Sequence, residues 1–332
     1  MSDLALRHAW AQPIAGLGAR PRPKTALAGL LWLTLAALAD RLEDLAEFGY
    51  THECALTAGA VGLLLLAGTL AGRWSGRLGA RLERSAPWLV LLAGFLGLWE
   101  IATAKLGWLP MPFFPPPQAI VEVFFDDWAR LGDSIWHSLA LLAGGYVIGA
   151  LLGFTLGVAV GWSRAVGYWV HPVLRFVGPL PATAWLPLAF FVFPSSLSAS
   201  TFLIALATGF PVTVLTWSGI AGVNKAYYDV ARTLGANGRF LVLKVAIPAA
   251  MPHVFVGLFM GLGSSFAVLV VAEMLGVKSG LGWYLQWAQG WAAYANMYAA
   301  LIVMALACSG LITLLFRLRD RLLSWQKGLV QW

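Results

Sequence analysis

Apolar residues run along this chain in blocks of helix length, and polar residues fall almost entirely between the blocks. A short run covers 26–39, and longer ones lie near 55–72, 86–104, 136–161, 173–193, 199–221, 250–274 and 294–316. A bilayer core is crossed by about 20 apolar residues in helical form, so the pattern predicts eight membrane helices. The first run admits a second reading. Basic residues, a 14-residue apolar stretch and Ala37-Leu38-Ala39 before Asp40 resemble a leader peptide with its cleavage site. Helix 136–161 carries Gly145, Gly149, Gly153, Gly157 and Gly161. That four-residue spacing makes one slowly drifting stripe on which another backbone can lie closely.

Composition agrees with the pattern. Of 332 residues, 60% are hydrophobic and only 11% charged, against roughly 25% charged in an average soluble domain. The mean hydropathy is +0.76. The fold class expected is therefore an all-α polytopic membrane protein.

The net charge of +7 would suit a nucleic-acid binder, but the placement of the bases excludes that partner. Segments 1–25, 73–85, 162–172, 222–249 and 317–332 hold seventeen of the 22 Lys and Arg residues. They are Arg7, Arg20, Arg22, Lys24, Arg73, Arg77, Arg81, Arg84, Arg164, Lys225, Arg232, Arg239, Lys244, Arg317, Arg319, Arg321 and Lys327. The opposite side keeps Arg41, Lys105, Arg130 and Lys278, together with Asp40, Glu43, Asp44, Glu47, Glu53, Glu122, Asp126, Asp127 and Asp133. Basic residues stay on the cytoplasmic side, so both termini are expected in the cytoplasm. Trp162, Tyr168 and Trp169 at one side, and Trp283, Tyr284, Trp287, Trp291, Tyr294 and Tyr298 at the other, read as interfacial belts.

Chemistry-bearing clusters are sparse. Cys54 and Cys308 offer no disulfide framework or metal spacing, and His8, His52, His137, His171 and His253 are scattered, so no metal site is expected. Glu100 and Glu273 are the acids inside predicted spans, near their outer ends where water is expected to reach them; intramembrane acids are functional candidates by default. Pro179, Pro181 and Pro187 each leave a backbone carbonyl without its helical donor. At membrane depth such groups are tolerated where they meet protein or a water-filled cavity. Pro181, Thr183, Trp185 and Pro187, with Glu273, are accordingly the candidate lining of a translocation path.

The charged stretch between the sixth and seventh runs is the exception to the pattern. Tyr227, Val230, Ala231 and Leu234 share one helical face. Asn224 is a suitable N-cap and Gly235 a suitable terminator, giving a short helix over about 225–234. A turn Ala236-Asn237-Gly238 and a second helical piece, Arg239 to Ile247, follow; Pro248 then opens the next span. Such a helix is either a passive interfacial element or a knob presented to a soluble partner.

Its residues favour the knob through a resemblance. Asp229-Val230-Ala231, three residues, Gly235, nine residues, then Val245-Ala246-Ile247-Pro248 is similar to the EAA loop of ABC importer permeases, E-A-A-x3-G-x9-I-x-L-P. LPATAWLPLA at 180–189, FPVTVLTWSGIAGVNKAYYDVARTLGA at 210–236 and VVAEMLGVKSGLGWYL at 270–285 resemble the branch for nitrate, sulfonates, taurine and bicarbonate. There are departures. Asp229 replaces the motif's Glu, Leu141 stands where the family usually has Arg, and Phe193-Pro194 replaces Phe-Gly.

The resemblance implies a six-helix type I permease core over 86–325, with a cytoplasmic coupling loop at 222–249. Around it would lie an N-terminal extension at 1–85 with two further candidate helices, and a cytoplasmic tail at 326–332. Asp229, Val230, Ala231, Arg232, Gly235, Ile247 and Pro248 would couple to ATPase subunits. Two copies would form the pore in the bacterial inner membrane, and a periplasmic solute-binding protein would deliver a small anionic solute. The chain shows no G-x-x-x-x-G-K-[ST], so it is not expected to be an enzyme or to bind a cofactor. ATP and Mg2+ belong on the partner ATPases. An ion-gradient-driven secondary transporter is the alternative; it calls for internal repeats or midplane acids, and neither is visible.

Overall fold

The computed structural model describes residues 23–70 and 76–326. Every regular element among them is helical, and the chain divides into two compact units, 1–126 and 127–332. The expectations for Arg7, Arg20, Arg22, Arg73, Lys327 and the tail from 327 onward lie outside the described residues.

The first unit contains α1 (Pro23–Arg41), α2 (Thr51–Leu70), α3 (Gly76–Glu100) and α4 (Pro117–Asp126). Helix α3 widens into a π-helical turn over Ile101–Lys105, where the Leu106 N–H donates to the Ile101 carbonyl at 2.9 Å. Helices α1 and α2 lie against each other through glycine: a Cβ on Gly29 would come within 2.8 Å of Leu66 Cγ, and one on Gly62 within 2.8 Å of Leu33 Cγ.

Helix α3 also satisfies both ends of α1. Glu83 accepts from the Lys24 and Thr25 amides at 3.2 and 3.1 Å and from Thr25 Oγ1 at 2.6 Å. At the other end, buried Lys105 donates to the Ala39 and Leu42 carbonyls at 2.8 and 2.5 Å and pairs with Asp44 at 2.7 Å. Acid at a helix N-terminus and base at its C-terminus meet the unpaired groups and the dipole together. The leader-like Ala37-Leu38-Ala39 therefore lies inside a helix built into the unit.

The second unit contains α5 (Trp128–Trp162), α6 (Arg164–Val177), α7 (Leu186–Val192), α8 (Ser196–Ala221), α9 (Lys225–Thr233), α10 (Gly238–Phe240), α11 (Ile247–Gly276), α12 (Leu281–Gly290) and α13 (Tyr294–Leu322). Its centre is α8, packed between α5 and α11. The glycine stripe of α5 is what allows this. A Cβ on Gly145 or Gly157 would fall 2.6 Å from the β-carbon of Ile204 or Thr216, and one on Gly153 2.6 Å from the Gly209 carbonyl. On the other side, Gly257 and Gly261 of α11 lie against Val212 and Thr208. The stripe is a packing seam.

The expected count of eight spans is not reached among the described residues. Among the described residues six helices are long and apolar enough to cross a membrane: Thr51–Leu70, Leu78–Lys105, Trp128–Trp162, Ser196–Ala221, Gly238–Gly276 and Tyr294–Leu322. Helix α1 is not among them, because Lys24, Asp40 and Arg41 at its ends leave it a short apolar centre. The expected span 173–193 is instead a pair of segments, Arg164–Val177 and Ala182–Val192, bent by 87°. Pro179 and Pro181 fall in the gap, where a missing N–H stops α6 from continuing. Counted as one span, the pair makes a seventh.

Candidate functional site

The loop between α8 and α11 forms as its residue types require. Asn224 Oδ1 accepts from the Ala226 amide at 3.0 Å and opens α9. Gly235 ends it at φ +82°, a left-handed conformation that costs glycine nothing. The Gly235 and Ala236 amides donate to the Arg232 and Ala231 carbonyls at 2.9 and 3.0 Å. Asn237 caps the next turn through the Phe240 amide at 2.9 Å.

From there the chain is helical through to Gly276. It passes through a π-helical stretch at Leu241–Ala246, where the Ile247 N–H reaches the Val242 carbonyl. Pro248, which has no N–H, sits in the first turn of α11. The expected second helical piece is present, with a wider turn than a regular α-helix.

Helix α9 is anchored by its inner side. Tyr228 meets Trp162 edge-on at 6.0 Å and packs with Ile247 against buried Ile220, Ala246 and Ala250. Burial there pushes the Tyr228 phenol above its ordinary pKa. Ala231, one turn on, is half-buried. The other side is open: Tyr227, Val230 and Leu234 are 60%, 62% and 84% exposed. Asp229 is exposed as well and pairs loosely with Arg232 at 3.5 Å. The seven residues expected to couple thus fall in one loop, five around an exposed apolar knob and Ile247 and Pro248 at its root in α11.

At the opposite end of α11 the picture reverses. Glu273 is 1% exposed, not water-facing as expected. Ser138 Oγ of α5 lies 2.7 and 2.9 Å from its two oxygens, and the Gly282 N–H of α12 donates at 2.8 Å. Ser138 Oγ in turn accepts from the Leu281 amide at 2.8 Å. The fold-back works because Gly280 holds φ +100° and any Cβ there would strike the Glu273 carboxylate. Three helices are thereby tied at one carboxylate.

Beside the knot lies a cavity of about 270 Å³, lined by His137, Leu141, Thr201, Glu273 and Ser279 among others. A second tie uses Asp127, which accepts from Tyr284 Oη at 2.6 Å and Asn296 Nδ2 at 3.4 Å. Tyr284, expected in an interfacial belt, is fully buried. Glu100 in the first unit is likewise enclosed, at 4% exposure, with Gln118 Nε2 donating to it at 3.1 Å.

The path candidates do not share one place. Pro181, Thr183 and Trp185 belong to the break between α6 and α7, where Ala182–Trp185 makes a single 3-10 turn and Pro187 starts α7. None of them lines the cavity beside Glu273. Ser138, Gly280 and Asp127 escaped sequence reading as partners. Ser138 and Glu273 are 135 residues apart, and only the two glycines near 280 hinted at a tight fold-back.

The family model described as "Binding-protein-dependent transport system inner membrane component" matches residues 145–327. The chain belongs to that family. It is 31% identical over 262 residues to the nitrate import permease NrtB of Synechococcus elongatus, covering 75% of this chain and 91% of NrtB. It is 30% identical over 243 residues to SsuC of Bacillus subtilis, named for aliphatic sulfonates transport (72% and 87%). The bicarbonate transport permease CmpB of Synechococcus elongatus is 29% identical over 247 residues (70% and 85%). The chain is thus an ABC permease of the expected branch, a multi-pass inner-membrane component working with ATPase and binding-protein components. In this family setting the exposed knob and the buried knot are two ends of one permease unit.

Proposed function

We propose that this chain is the membrane subunit of an ATP-driven importer that moves a small oxyanion, of the nitrate, sulfonate, taurine or bicarbonate kind, into the cytoplasm. The observation that carries the reading is the knob at Tyr227, Val230 and Leu234, apolar and open, fixed between two membrane-length helices. Exposed apolar side chains next to a loose acid–base pair make a docking surface for a soluble subunit. A push on α9 passes through Tyr228 and Ile247 to the cluster that joins α8 to α11. Asp229, Val230, Ala231, Arg232 and Gly235 take the ATPase contact in this reading, and Ile247 and Pro248 transmit it.

The loop end faces the cytoplasm, where the basic residues concentrate, and both termini lie there. The opposite end receives the solute-binding protein. The chain itself takes no cofactor; ATP and Mg2+ belong to the ATPase. Glycine packing closes the seams of α8 with α5 and α11 backbone to backbone. A solute route therefore runs along a face of the unit, and a second copy of the chain supplies the other wall.

The test is uptake of labelled nitrate, an alkanesulfonate, taurine and bicarbonate by cells with and without this chain. One of them should be lost on deletion, and its uptake should follow ATP. Uptake that instead collapses with the proton or sodium gradient would overturn the reading in favour of a secondary transporter.

A further inference from the structure

Four buried side-chain polar atoms have no hydrogen-bond partner among the described residues: Asp44 Oδ1, Trp185 Nε1, Ser200 Oγ and Thr216 Oγ1. Three have simple explanations. Asp44 has the Lys105 ammonium at 2.7 Å. Ser200 and Thr216 lie within α8, where a hydroxyl turns readily onto the carbonyl one turn back, as Thr208 and Thr213 do at 2.9 and 2.7 Å. An indole has no such freedom. Its N–H points where the ring points, and it can only donate.

Trp185 ends the 3-10 turn at the break between α6 and α7. Its ring packs against the buried cluster of α5, α7, α8 and α11. Acceptors around the turn are already engaged: the Val177, Pro181 and Thr183 carbonyls accept from the Leu180, Ala184 and Leu186 amides. The indole N–H finds no acceptor among the described residues, at the proline-marked break between α6 and α7.

We propose that Trp185 is a solute-contact residue whose indole N–H donates to an oxygen of the transported anion when the pathway opens. The proposal rests on the oxyanion reading above and deepens it. A donor without acceptor function suits nitrate and sulfonate, which are acceptors throughout, and suits the carboxylate oxygens of bicarbonate. The unpaired donor also penalises the conformer in which it is enclosed. Meeting the solute removes that penalty, so the anion favours the open conformer by about 5- to 150-fold, the range of one buried hydrogen bond. A solute shifts a transporter between states only through such differential contact.

The test compares wild-type with Trp185→Phe, which keeps an aromatic ring and removes the N–H, in cells lacking the native chain. Labelled nitrate, an alkanesulfonate and bicarbonate are the probes. The proposal expects uptake of the transported anion to fall at least about fivefold. Pull-down of the ATPase should persist, and the thermal stability of the purified protein should stay level or rise, since an unpaired buried donor is gone. A fall in uptake smaller than about fivefold overturns the proposal, as does a loss of uptake that runs in parallel with lost stability. If wild-type restores none of the three anions, the oxyanion reading itself fails and takes the proposal with it, an outcome distinct from a silent Trp185→Phe.

Discussion

The two ends of the second unit are held by different kinds of bond. At the loop end the capping hydrogen bonds are local: Asn224 to Ala226, Gly235 to Arg232 and Asn237 to Phe240. The longer-range anchor there is apolar packing of Tyr228 on Trp162 and the Ile220 cluster. The outer apolar side chains are left open. At the opposite end the ties join residues far apart in the chain, Ser138 to Glu273 and Asp127 to Asn296, separated by 135 and 169 positions; the first is buried and the second part-buried. Local bonds can travel with their loop as a rigid body. Long-range buried bonds hold three helices together and resist independent motion. The difference suits a lever with one end free to be gripped and the other clamped, with low local stability where the proposed ATPase contact falls.

Three substitutions probe that contrast. The largest effect is expected at the clamp. Glu273→Ala leaves the Ser138 hydroxyl and the Gly282 amide buried without an acceptor, at a cost of about 2–4 kcal/mol. Thermal inactivation in detergent should come earlier by a corresponding margin; unchanged inactivation would show that the knot holds nothing.

An intermediate effect is expected at Gly235→Val. Nothing lies within 4 Å of a Cβ there, so the cost is backbone strain at φ +82° alone, about 1–2 kcal/mol. ATPase pull-down should weaken about tenfold while membrane insertion holds and thermal inactivation shifts less than in Glu273→Ala. Wild-type binding by this variant would remove the rigid shape of α9 from the account. The smallest effect is expected for Asp229→Asn. Its pair with Arg232 is exposed and long, so stability should not change. Any loss in pull-down then measures contact with the partner directly. If Asp229→Asn destabilised the protein more than Glu273→Ala did, the contrast between the two ends would be reversed.

The loop was legible in advance because its determinants are neighbours. A cap, a glycine terminator and an i, i+3, i+4, i+7 face are local statements, and α9 ends one residue from where they place it. The glycine stripe was legible too, since its spacing implies a close partner, although α8 as that partner was not. What escaped was the depth of the acids. Position in an apolar run put Glu100 and Glu273 near helix ends and therefore near water; α12 folding back over α11 encloses one, and Gln118 with Lys105 encloses the other. Tyr284 misled in the same way, because an aromatic at a span end reads as a belt until its hydroxyl is seen to reach Asp127.

Residue order by itself determined the membrane class, the run of long apolar helices, the family and the capped helical loop between α8 and α11. Each of these depends on periodicity, composition or spacing within a few tens of residues. Only the tertiary structure decided that α6 and α7 turn through 87°, that Glu273 and Ser138 meet, and that the Trp185 indole finds no acceptor among the described residues. Those facts are set by which distant groups enclose a side chain and by the three-dimensional direction of a break. A linear pattern carries neither.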